Sequence, residues 1–185
     1  MSARGRVSGI GALPAAALVI GTLALPASSA GARDSGQERE TLERLGRMRA
    51  VVYLEGATNG LAAPALQNEV EQALRGVGLQ IISAAQLQSD ADAGLLIVSV
   101  ASVENKLSTS DQLAGYAYRT DLSLWQITTL SRANWIRTYS ATWQAPMRLG
   151  TCGPDALAAE VHKSVAGQVE QFLAAYRAAN PKRTR

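Results

Sequence analysis

Cys152 and His162 are side chains whose types could perform nucleophilic chemistry, and each is the only residue of its kind in the chain. A hydrolase that used Cys152 or a serine as nucleophile would need His162 to accept the proton. If a helix begins near Pro154, His162 lies roughly 10 Å along its axis, too far for direct contact with Cys152. The spacing therefore favours a half-exposed helix residue over a catalytic base. Our first hypothesis is a non-enzymatic protein, and a small secreted hydrolase is the alternative.

Metal and nucleotide sites have no matching motif. Asp90 and Asp92 begin like a calcium loop, but Leu95 stands where that loop needs glycine and Ala101 where it needs glutamate. One histidine and one cysteine are too few for a structural zinc site, and no glycine run has nucleotide-binding spacing. We expect neither a metal nor a cofactor, and we interpret both aspartates as turn formers before a strand.

The outer face of a predicted hairpin has the residue composition of a binding surface. Exposed aromatic rings with charged and hydroxyl neighbours are typical of ligand or partner contacts. The alternative is that the charged segment 33–47 covers this face. The predicted contact residues are Arg119, Asp121 and Trp125 on the first strand, with Thr138 and Ser140 on the second.

Hydrophobic periodicity predicts the elements that position these residues. The apolar stretch 50–54 predicts a strand covered on both faces or nearly so. The other predicted elements are a helix over 61–75, a short extended piece over 79–82, a strand over 93–103, a long strand from 116, a turn at 131–134, a strand over 135–144 and a helix over 154–179.

The register of the hairpin decides which of its faces is buried. If Leu130 lies opposite Trp135, the large apolar side chains of both strands share one face, which becomes the core side, whereas a one-residue slip inverts the assignment. That predicted core face consists of Leu122, Leu124, Leu130, Trp135, Tyr139 and Trp143.

The order of elements predicts an α+β fold. Two long helices and three or four long strands pack most simply as a two-layer sandwich, with two main helices on one face of a mostly antiparallel four-stranded sheet. The first strand–helix–strand unit should cross over right-handed. We expect one domain over 48–180, preceded by a charged linker or short helix over 33–47 and followed by a basic tail over 181–185.

The first 32 residues have the layout of a cleavable secretory signal. Arg4 and Arg6 precede an apolar stretch over 10–25 and small residues through Ala32. An uncleaved anchor is the alternative, but the apolar run is shorter than the roughly 20 residues that cross a bilayer and contains Pro14. Without the two leader arginines the remaining chain is nearly neutral, so its charge does not indicate nucleic-acid binding.

Several hydrophobic patterns resemble small exported bacterial proteins of unassigned function and the two-layer N-terminal domain of the translocation protein TolB. The residues that carry the resemblance are 51–54, 73–79 and 95–100, with Phe172 and Tyr176 before Asn180-Pro181. The resemblance implies a fold and no catalytic residues.

Together these observations predict an exported binding or envelope-associated protein of unknown ligand, periplasmic or secreted. Its expected partner is an envelope protein, with no nucleic acid and no transmembrane span after signal cleavage.

Overall fold

The computed structural model describes residues 36–181. The predicted leader and residues 182–185 of the predicted tail lie outside this range. The elements are α1 (Gly36–Glu40), β1 (Arg47–Gly56), α2 (Ala63–Gly76), β2 (Gln80–Ile81), α3 (Ala84–Ser89), β3 (Gly94–Lys106), β4 (Leu113–Leu130), β5 (Ala133–Gln144), β6 (Arg148–Cys152) and α4 (Leu157–Ala179).

The strands form one mixed sheet in the order β2-β1-β3-β4-β5, with β6 beside the first half of β4. β1 runs parallel to β2 and β3, whereas every pairing of β4 is antiparallel. The predicted α+β class is confirmed, but the predicted count of four strands is wrong. The sheet has six strands because the short extended piece pairs as β2 and because β6, which was not predicted, follows Pro146. Residues 36–181 also contain two short helices, α1 and α3, besides α2 and α4.

The two crossovers from β1 to β3 place their helices on opposite faces of the sheet. The chain leaves β1 for β2 through α2 and then returns past β1 to β3 through α3. Two right-handed connections that run in opposite directions along a sheet cross its opposite faces. Leu87 of α3 accordingly packs with Ile82, Ala93 and Leu95 in a small cluster separate from the main core. The short helix α3 is fixed by a capping box in which Ser83 and Gln86 exchange hydrogen bonds.

The main core lies between the sheet and the two long helices, α2 and α4. Buried side chains recur at helical spacing along α2, and α4 behaves in the same way. Phe172 is fully buried and meets the Trp143 ring edge-on, with centroids 5.2 Å apart. Helix α4 ends before Asn180-Pro181, as the proline predicts.

Only part of the predicted hairpin core face is buried. Trp143 lies in the core, whereas Trp135 is 79% exposed and Tyr139 is 42% exposed. Leu130 lies opposite Ala133 rather than Trp135, and the pairing shifts register there and again between Leu124 and Trp125. Each irregularity changes which face the following β5 residues occupy, so a strict alternation from Trp135 to Trp143 was the wrong assumption.

The segment before β1 packs against the end of α4. Leu42 and Leu45 are buried in the main core. The Tyr176 hydroxyl donates to the Leu45 carbonyl at 3.0 Å, and the Asn180 amide donates to the Leu42 carbonyl at 2.8 Å. This segment therefore lies on the side of the sheet that carries α2 and α4.

Candidate functional site

One side of the sheet, which we call the open face, is turned away from α2 and α4. It is built from alternate residues of β1, β3, β4 and β6, because successive side chains of a strand point to opposite faces. Apart from the small cluster around α3 at one end, no element of residues 36–181 packs on it. Its central members are Tyr53, Glu55, Ser99, Ala101, Val103, Arg119, Asp121 and Leu149.

The open face carries large apolar side chains that are exposed. Tyr53 is 57% exposed, Val103 64% and Leu149 74%. Their strands also supply fully buried residues such as Val98, which faces the helices. The prediction that the 50–54 strand is covered on both faces is therefore wrong at Tyr53, since only the helix side is covered there.

A shallow depression of about 440 Å³ lies at the centre of the open face. The sheet register places Glu55, Ala101, Arg119 and Leu149 in one cross-strand row. The methyl side chain of Ala101 leaves space between a carboxylate on one side and a guanidinium on the other. The depression thus offers a carboxylate and a guanidinium on the two sides of Ala101, and an apolar side chain, Leu149, beyond the guanidinium.

Asp121 and Trp125 lie on the same face as Arg119, as predicted. Asp121 is paired with Ser99 in the neighbouring strand. The Trp125 indole N–H donates to the Ser123 hydroxyl at 2.9 Å and the ring is half-buried, at the edge nearest the α3 cluster. The segment 36–45 does not cover Trp125, because its leucines are buried on the opposite side of the sheet.

Thr138 and Ser140 are not brought together with these three residues. Thr138 pairs with Thr128, and the Ser140 hydroxyl lies 3.0 Å from the Thr128 hydroxyl. Thr128 is three residues from Trp125 along β4, so the two side chains point to opposite faces. The hydroxyls of Thr128, Thr138 and Ser140 therefore lie on the other side of the β4–β5 ribbon from Trp125. The register shift at Trp125 separates the two halves of the predicted set.

Cys152 and His162 each have other neighbours. The His162 Nδ1 atom lies 2.8 Å from a Glu69 carboxylate oxygen, an interaction between α4 and α2. Cys152 is paired with Tyr116 at the end of β6. Within residues 36–181 no cysteine or serine forms a hydrogen bond with His162, so the structure offers no support for a nucleophilic dyad there.

Tyr118 lies close to Cys152, Glu160 and Arg148. Burial raises the pKa of the Tyr118 phenol, and the nearby Glu160 carboxylate raises the pKa further. A phenol held in its neutral form is a hydrogen-bond donor rather than a base. The raised pKa therefore favours Tyr118 as a donor in this cluster, beside the Glu160 carboxylate.

Asp90 and Asp92 have structural partners. Asp90 accepts the Asp92 backbone N–H at 3.1 Å and forms an ion pair with Arg47 at 3.0 Å. In the part of the chain that the structure describes, no three histidine, cysteine or acidic side chains form a group that could hold a metal.

Sequence reasoning missed the open-face residues Tyr53, Glu55, Ala101, Val103 and Leu149. Val103 and Leu149 are apolar, and hydropathy alone assigns such residues to a core. The signal that could have found Leu149 is its alternation with Gly150, whose lack of a side chain leaves room for the Tyr118 ring beside it.

No protein-family profile matches the chain, and no curated protein matches it. The chain is similar to several solved bacterial structures at low identity. A PelC dodecamer from Paraburkholderia phytofirmans is 14% identical, with a TM-score of 0.34, and the alignment covers 72% of this chain and 89% of that one. Lipoprotein GNA1162 from Neisseria meningitidis is 11% identical, with a TM-score of 0.35 and coverage of 68% and 99%.

Rare lipoprotein B from Shewanella oneidensis is 17% identical, with a TM-score of 0.24 and coverage of 68% of this chain and 88% of that one. These neighbours are bacterial proteins, and two of them are named as lipoproteins. Similarity at this level shows no specific family and assigns no function. None of the helices in residues 36–181 is both long and apolar enough to cross a bilayer.

Proposed function

We propose that this chain is an exported, non-enzymatic binding protein of the bacterial envelope whose contact surface is the open face. The observation that carries the proposal is the exposure of Val103 and Leu149, which line one depression, together with the exposed Tyr53 on the same face. Exposed apolar residues with charged and polar neighbours on one face are typical of partner contacts. The leader-like residues 1–32 supply the reason for export.

The charges of the depression indicate the kind of partner. Glu55 and Arg119 lie two strands apart, roughly 10 Å at the usual strand spacing. A partner that offered an acceptor to Arg119, a donor to Glu55 and an apolar side chain to Leu149 would satisfy all three. A protein segment carries these groups together, so we propose a protein partner in the envelope, with Asp121 and Trp125 at the border of the contact.

Thr138 and Ser140 remain part of the proposal only as a second contact. They lie on the other side of the β4–β5 ribbon from Trp125. A partner that reached them would have to wrap around the free edge of β5. We therefore assign the first contact to Arg119, Asp121 and Trp125 alone.

Site-specific photo-cross-linking in the native host tests this function. A photoreactive residue replaces Leu149 on the open face or, as the matched control, the exposed Lys163 on the outer side of α4. We expect a discrete protein adduct in the exported fraction from position 149 and none from 163. Adding Trp125→Ala should reduce the adduct while the chain stays folded.

Equal adducts from both positions would remove the open face as a specific surface. An intact leader on cytoplasmic protein would contradict export. Labelling by a serine- or cysteine-reactive probe that His162→Ala abolishes would instead support the hydrolase.

A further inference from the structure

The end of the β4–β5 hairpin extends past the rest of the sheet. The pairing of β4 with β3 ends at Trp125 opposite Leu95, so residues 126–130 pair only with β5. Five residues of strand span about 17 Å. We call residues 126–139 the hairpin tip, and it stands away from the sheet as a two-stranded ribbon.

The hairpin tip presents apolar side chains to solvent. Trp135 is 79% exposed and Ile136 is 44% exposed, and both lie in the part of β5 left unpaired by the register shift between Thr129 and Leu130. Tyr139, three residues after Ile136, is 42% exposed. Tryptophan and tyrosine rings have an apolar body and a polar edge, which favours the boundary between water and lipid.

The charge of the hairpin tip has one sign. Arg132 and Arg137 are exposed, and the chain contains no acidic residue between Asp121 and Asp155. Neither arginine forms an ion pair within residues 36–181. Two unpaired guanidinium groups beside an exposed indole are complementary to a surface with phosphate groups over an apolar layer.

Hydroxyl side chains occupy the neck of the hairpin tip. The Thr128 and Ser140 hydroxyls lie 3.0 Å apart, and Thr129 and Thr138 are exposed beside them. Hydroxyls at this level would meet lipid headgroups if Trp135 and Ile136 entered the interface. Trp135 and Ile136 lie between Arg132, in the turn that joins the two strands, and Arg137.

We propose that the hairpin tip docks on an anionic lipid bilayer, with Trp135 and Ile136 in the interfacial layer and Arg132 and Arg137 on lipid phosphates. This surface is separate from the depression around Ala101, so the proposal does not rest on the open face as a partner site. A soluble acidic polymer offers the charges without the apolar layer, and binding to such a polymer is an outcome of the test.

Vesicle flotation tests the proposal with the exported chain, whose N-terminus is read by mass spectrometry. The vesicles are pure phosphatidylcholine or equal parts phosphatidylcholine and phosphatidylglycerol. We expect binding to the anionic vesicles, weakened by salt. Trp135→Ala should lower the partition coefficient about tenfold, the factor for losing roughly 60 Å² of buried apolar surface. Arg132→Gln with Arg137→Gln should lower it about 25-fold.

The matched controls are Leu149→Ala and Arg119→Gln, which remove an exposed apolar side chain and a guanidinium from the open face. Both should float like the unchanged chain. The proposal is overturned if the unchanged chain does not float, or if the controls lose as much binding as the hairpin-tip variants. Binding to dextran sulfate that matches vesicle binding, with no effect of Trp135→Ala, also overturns it.

Discussion

The two faces of the sheet are built from the same strands, but one is buried under α2 and α4 and the other is exposed. On β1, Val52 is 8% exposed toward the helices while Tyr53, the next residue, is 57% exposed on the open face. On β3, Val100 and Val103 are both valines, with exposures of 3% and 64%. Burial here depends on which connection crosses a face, and residue type alone does not decide it.

The face that packs on α2 and α4 also buries polar residues, so residue type does not decide burial there either. Thr120 is fully buried, and its hydroxyl lies 2.7 Å from that of Ser164. Gln168 is also fully buried and donates to the backbone carbonyls of Thr120 and Pro146 at 3.2 and 2.9 Å. Buried polar groups are tolerated where hydrogen bonds replace those with water. The helix face is thus a packed interface with an internal polar seam.

The largest difference between the faces should appear when an aromatic ring is removed from each. Phe172→Ala deletes a fully buried ring that contacts Trp143, so it should lower the free energy of unfolding by about 3–5 kcal/mol. The matched control, Tyr53→Ala, should change it far less. Urea denaturation measures both free energies, and equal losses would mean that the Tyr53 ring is buried as the Phe172 ring is.

An intermediate effect is expected at the polar seam. Thr120→Val keeps the shape but leaves the buried Ser164 hydroxyl without its partner, which should cost about 1–2 kcal/mol. Adding Ser164→Ala should recover part of the loss, because the unpaired hydroxyl is then gone. A double variant that simply adds two losses in urea denaturation would argue against coupling of these two hydroxyls.

The smallest effect on stability is expected at Leu149. Its side chain is 74% exposed, so Leu149→Ala should change the free energy of unfolding by no more than about 0.5 kcal/mol. The same variant should weaken partner binding through the open face. A thermal unfolding midpoint that falls as far as that of Phe172→Ala would show that Leu149 is covered by another part of the chain.

The fold was predictable where periodicity was strong. The apolar stripe of α4 and its proline stop, the α2 stripe and the Ser83 cap all follow from local rules. β6 was missed because Gly150 and the preceding Pro146 resemble a turn. Its strand geometry comes from pairing with β4, a non-local contact that no window of sequence contains.

Three of the five predicted contact residues were placed on one face for the same reason. Arg119, Asp121 and Trp125 share a face because β4 alternates regularly there. Thr138 and Ser140 were assigned to that face by assuming an unbroken hairpin, and the register shift at Trp125 changes their side. Tyr53 and Leu149 join the site only through sheet order, which hydropathy does not encode.

The return crossover through α3 has a consequence for how this surface could be altered. Only twelve residues separate Ile81 from Gly94, and α3 uses six of them, Ala84–Ser89. A helix of six residues is too short to cover a six-stranded sheet, so point substitutions cannot cover the open face. Lengthening the chain between β2 and β3 could, because that connection already passes over it. Among proteins with this fold, the length of the connection between β2 and β3 would therefore determine how much of the open face is covered.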